Sequence, residues 1–159
     1  QIDYWGIDAS VQFVANERLN LFGNISIVSD DFFDNEELGE ENPSLSLALN
    51  APTFKAKFGG SYDMANGLSV NASGRYIEGF PVQSGPYVGG LPEPYGDGEG
   101  GVESTFLLDL GAGYDFMRML PGLRFDLGIS NVLDEDYRYF LGAPKVGRMA
   151  IARLTYTVQ

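Results

Sequence analysis

From Trp5 onward, apolar residues fall on every second position, and they do so in seven separate stretches. Trp5, Ile7, Ala9, Val11 and Phe13 alternate with Asp8, Ser10 and Gln12, and Leu19, Leu21, Gly23, Ile25 and Ile27 alternate with Arg18, Asn20, Asn24 and Ser26. The same rhythm runs through Phe54 to Tyr62, Leu68 to Tyr76, Phe106 to Phe116, Leu123 to Ile129 and Ala150 to Val158. Successive side chains of a strand point to opposite faces, so each stretch has one apolar and one polar face. Alternation of this kind predicts strands over about 4–14, 17–28, 53–63, 67–79, 104–116, 122–132 and 148–158, and no helix.

The connections alternate too. Ala15-Asn16-Glu17, Asp63 to Gly67 and Met117 to Gly122 are short and carry Asn, Gly or Pro, the residues that close tight turns. Ser29 to Pro52, Phe80 to Glu103 and Leu133 to Gly147 are long. Short turns therefore gather at one end of the sheet and long loops at the other, as in transmembrane barrels. The pattern alone leaves a soluble sandwich or lipocalin-like barrel open, because both turn an apolar face inward. Three features favour the membrane: the apolar faces carry no charge, the strands match a tilted bilayer span, and aromatics gather in two bands. Phe13, Tyr62, Tyr114, Phe116 and Tyr156 lie toward the short turns, and Trp5, Tyr76 and Phe106 toward the long loops. Such bands are expected at two membrane interfaces.

Composition narrows the chemistry. The chain has 159 residues, a net charge of −12, no Cys and no His. That balance argues against nucleic acid. It also removes disulfides, thiolate metal sites and the commonest general base; an enzyme would have to work with carboxylates alone, and since no catalytic constellation of them stands out, none is expected. Seven carboxylates stand within residues 30 to 41. Asp30, Asp31, Asp34, Glu36 and Glu37 are therefore candidate Ca²⁺ ligands, against the plainer reading of a solvated acidic loop, and no other cofactor is implied. The next long loop is apolar, aromatic and rich in proline; Phe80, Gln83, Tyr87 and Tyr95 are its candidates for the wall of a substrate mouth. On the polar strand faces, Arg18, Lys55, Lys57, Arg75, Arg124 and Arg153 mix with Asp8, Asp109 and Asp126, a pattern expected of ion pairs between strands.

Gly122-Leu123-Arg124-Phe125-Asp126-Leu127, followed by Asn131-Val132-Leu133-Asp134-Glu135-Asp136-Tyr137, resembles the penultimate strand and last loop of TonB-dependent receptors. In that family an Asn-aliphatic-aliphatic-Asp-x-x-Tyr motif precedes a Gly-Arg pair and one final strand, places held here by Gly147-Arg148 and Met149 to Val158. Asn131, Asp134, Tyr137, Gly147 and Arg148 are read as structural residues of this seam, with Arg148 answering Asp134 or Asp136. Two positions depart from the family pattern: Val146 stands where proline is usual, and Val158 where a final aromatic usually assists recognition by the barrel-assembly machinery.

The resemblance implies an all-β, antiparallel up-and-down barrel segment, the last seven strands of about twenty-two, without the N-terminal plug domain. It implies a bacterial outer-membrane location, with long loops extracellular and the C-terminus periplasmic. The implied activity is TonB-dependent uptake of a scarce nutrient (siderophore, vitamin, saccharide or peptide). The implied partners are membrane lipid, the rest of the barrel with its plug, and a TonB-type energy-transducing protein. The residues themselves also fit a non-transport barrel or a soluble β-sandwich binding module.

Overall fold

A computed structural model of the chain describes residues 4–29, 49–84, 87–89, 101–117, 119–140 and 143–158. Seven long strands form one antiparallel sheet: β1 (Gly6–Asn16), β2 (Leu19–Val28), β3 (Phe54–Asp63), β4 (Leu68–Ile77), β7 (Thr105–Asp115), β8 (Leu123–Ser130) and β9 (Met149–Tyr156). They pair strictly in chain order, so the topology is up-and-down with no crossover. Between β4 and β7 the loop holds a small hairpin of β5 (Val82–Ser84) and β6 (Tyr87–Gly89), in a segment that the alternation presents only as loop. Its strands are three residues each, too short for a period to show. Among the described residues there is no helix.

Each short turn is closed by its own side chain or glycine. Asn16 Oδ1 accepts the backbone N–H groups of Arg18 and Leu19 at 2.9 and 3.0 Å, and one extra residue, Ala15, bulges from β1 beside it. Asn66 Oδ1 accepts Leu68 N–H at 3.1 Å. At the third turn Gly122 has φ of 89°, and a Cβ there would run into the Thr157 carbonyl oxygen, so only glycine fits without strain.

The register decides what the sheet can do. One slip of a single residue would exchange the faces of a strand, yet apart from the bulge at Ala15 every pairing keeps phase. Phe13, Leu21, Gly60, Ala72, Leu110, Ile129 and Ala150 stand side by side across all seven strands. Parallel rows give one continuous face on which the strands place no charged residue. Large side chains cover small ones: the rings of Phe58 and Phe106, 6.2 Å apart, close over Gly74. The opposite face is polar but less pure, since Phe22, Ile77 and Leu107 lie in its rows.

The buried apolar residues are not on the apolar face. They are Phe80, Val82, Val102 and Leu107: the first three cluster at the root of the long loop, and the fourth lies on the polar face. Phe58, on the third strand of the sheet, remains 53% exposed. No second layer therefore covers the apolar face within the described residues. A soluble β domain covers such a face with a second sheet or a helix.

Candidate functional site

The connection after β8 folds into a compact knot. Asn131, 3% exposed, accepts Glu135 N–H at 3.0 Å through Oδ1, and its Nδ2 donates to the carbonyls of Glu135 (2.8 Å) and Val146 (3.4 Å). Both Asn131 and Asp134 take positive φ, 54° and 63°, a conformation short polar side chains tolerate better than most. Asp134 reaches back over Gly147 to the start of the last strand: Oδ1 accepts Arg148 N–H at 2.8 Å, and Oδ2 lies 3.1 Å from its guanidinium. A Cβ on Gly147 would stand 3.3 Å from that Oδ1. The backbone hydrogen bond from Arg148, and then its charge, hold the Asp134 carboxyl below the usual carboxylate range. Of the two acids within reach of Arg148 in the sequence, Asp134 pairs with it, while Asp136 lies 3.5 Å from Lys145.

The knot is tied to the polar face of the sheet. Asp109 Oδ1 accepts the backbone N–H of Asn131 at 2.9 Å, and its Oδ2 faces Arg75 at 3.4 Å. Tyr139 sits above this pair, receiving a 3.5 Å contact from Arg75, and Tyr137 donates its hydroxyl to Tyr139 at 3.2 Å with the rings edge-to-face. Burial first, and the bond to Tyr139 second, push the Tyr137 hydroxyl up to about 12. It stays a neutral phenol at physiological pH and offers hydrogen bonds, not acid–base chemistry. The sequence showed Tyr137 as part of a motif, but Tyr139, Arg75 and Asp109 join it through contacts spanning up to 64 residues of chain.

Nearer the short turns a second network occupies the same face. Arg124 donates to Asp126 at 2.9 Å and to Ser69 at 3.1 Å, in a space that the missing side chain of Gly113 leaves open. Lys57 lies 5.6 Å from the centroid of the Phe22 ring.

The mouth candidates fare differently. Phe80 is 6% exposed and packs on Val82 and Val102, with its backbone paired to Val102 by two 2.9 Å hydrogen bonds. Its ring is spent on the loop's own root rather than on an open wall. Gln83 and Tyr87 lie on the β5–β6 hairpin. Tyr95 lies outside the described residues, as do Asp30, Asp31, Asp34, Glu36 and Glu37. Among the described residues no group of three or more acidic side chains is placed to hold a metal ion.

No family model matches the chain, and no curated protein matches it by sequence. Solved structures do. The ferric-catecholate import receptor Fiu of E. coli K12 superposes with a TM-score of 0.66 over 96% of this chain, at 18% identity. A point mutant of the ferric enterobactin receptor PfeA of Pseudomonas aeruginosa gives 0.63 over 95% at 14% identity. The copper transporter OprC gives 0.61 over 96% at 15% identity. The chain spans about a fifth of the length of these structures, 20% to 22%. Seven antiparallel strands in chain order, with one uncharged apolar face and the motif knot before the last strand, have the fold of part of a TonB-dependent receptor barrel.

Proposed function

We propose that this chain is the C-terminal part of the wall of an outer-membrane receptor that imports a scarce nutrient using energy from a TonB-type partner. The observation that carries the reading is the uncovered apolar face: an uncharged surface seven strands wide with no packing partner among the described residues. Hydrocarbon is the solvent that suits such a surface. The fold likeness to import receptors for ferric compounds and to a copper transporter supports transport over a static barrel. In this orientation the long loops face outward, the C-terminus lies in the periplasm, and the remaining strands with a plug complete the barrel. The acidic connection 30–41 is a candidate Ca²⁺ binder there, and Gln83, Tyr87 and Tyr95 remain candidates for the outer mouth, for a siderophore, vitamin, saccharide or peptide substrate.

Deletion of the whole gene tests the reading. Under nutrient limitation, loss of uptake of one substrate class, matched by loss of the TonB-type protein and restored by the intact gene, is the expected result. Full recovery of the whole protein in the detergent-free soluble fraction contradicts it.

A further inference from the structure

On the polar face, cations gather where the chain's net charge of −12 makes them scarce. Lys57 stands directly opposite Arg75 in the β3–β4 register, and Lys55 lies two residues away on the same face. Like charges directly opposite, about 5 Å apart at Cβ, destabilise a sheet. The two side chains are drawn to opposite sides: Lys57 to the Phe22 ring on β2, Arg75 to Asp109 on β7. Beside them the face forms an open hollow of about 410 Å³, within the range of small-ligand sites, where Lys55, Lys57 and Arg75 stand with Ser10, Asn24 and Ser26 among apolar groups such as Ile77.

The cations there are under-used. Three of them line the hollow against one carboxylate, Asp8, and neither lysine has an ion-pair partner among the described residues. Arg75 makes only long contacts, 3.4 Å to Asp109 and 3.5 Å to Tyr139, where charge-assisted bonds usually close to about 2.7–2.9 Å. Its Nε is shut off from solvent with no hydrogen-bond partner. Ser10 and Asn24 add neutral donors at the same level, since Ser10, Asn24, Lys57 and Arg75 form one continuous row across β1 to β4, and Ser26 adds another in the next row, between Asp8 and Lys55.

We infer that this row, with Lys55, is a binding site for an oxyanion, a carboxylate or phosphate group held between Lys57 and Arg75. An anion there turns a repulsive cross-strand pair into a bridge and gives Arg75 a closer acceptor. Its source is either a soluble anionic solute or an acidic side chain from the remainder of the polypeptide. The site rests on the proposed barrel only for access to solvent, since closing the barrel with the apolar face outward turns this polar face toward a watery interior.

The test uses the full-length protein in detergent at low ionic strength. Thermal unfolding is followed for the wild type, Lys57→Gln, Lys57→Arg and the Lys55→Gln/Lys57→Gln pair, with millimolar inorganic phosphate or with chloride at matched ionic strength. A soluble oxyanion predicts that phosphate but not chloride raises the Tm by about 2 °C or more. That shift is lost in both Gln variants and kept in Lys57→Arg. An internal carboxylate predicts no phosphate shift and a lower Tm in Lys57→Gln, with Lys57→Arg close to wild type. Two results overturn the site: a phosphate shift that chloride or Lys57→Gln reproduces, or no phosphate shift with an unchanged or raised Tm in Lys57→Gln. Neither depends on transport, so the site fails or stands apart from the import reading.

Discussion

Asp134 grips Arg148 twice, once at the backbone N–H (2.8 Å) and once at the guanidinium (3.1 Å), across a sequence separation of 14 positions. The pairing sets where the last strand begins, because it fixes the residue that immediately precedes Met149. It also makes the junction sensitive to acid. The Asp134 carboxyl titrates below its ordinary value, so its contribution is complete above the unfolded value near pH 4 and is lost as the pH falls through the lowered folded value. The expected outcome is an Arg148 amide resonance that moves only below about pH 4, and that does not move in this range in Asp134→Asn.

Val146 stands where related motifs carry proline, and the structure gives it a task proline cannot perform. Its N–H donates to the Tyr137 carbonyl at 2.8 Å, forming the bridge that closes the knot. Val146→Pro removes that donor and is expected to cost about 0.5–1.5 kcal/mol. Hydrogen exchange should show faster amide exchange within residues 131–148, with the β7 and β8 amides unchanged.

Much of this was legible in the residues. The seven strands follow from alternation; short turns fix the register of three pairs, and the shared apolar face fixes the phase of the three joined by long loops. The association of Asp134 with Arg148 was open between two acids, and only geometry separates Asp134 from Asp136. The Tyr137–Tyr139–Arg75–Asp109 cluster was not legible, because it joins a loop to two strands distant in sequence. Phe80 illustrates the converse: an aromatic loop residue suggests a ligand wall, but the bridge to Val102 folds it into a local core. Leu107 likewise breaks the polar rhythm of its strand and is fully buried there.

The two faces should respond unequally to an introduced arginine. Leu110 lies in the middle of β7 on the apolar face, so Leu110→Arg in the whole protein is expected to cost about 2–4 kcal/mol in a bilayer. Ser61 lies on the polar face between Asn20 and Asn71, and Ser61→Arg is expected to stay within about 0.5 kcal/mol of wild type. Denaturant unfolding in lipid vesicles reads both.

The absence of cysteine permits the most direct examination of the account. Single cysteines placed in turn at Val70, Asn71, Ala72 and Ser73 of β4, each carrying a nitroxide in the otherwise cysteine-free full-length protein in lipid bilayers, report the surroundings of each position by spin-relaxation accessibility. An outward apolar face predicts high oxygen and low nickel-chelate accessibility at positions 70 and 72, and the reverse order at 71 and 73. Positions 70 and 72 shielded from both reagents, as in a packed protein core, would contradict it.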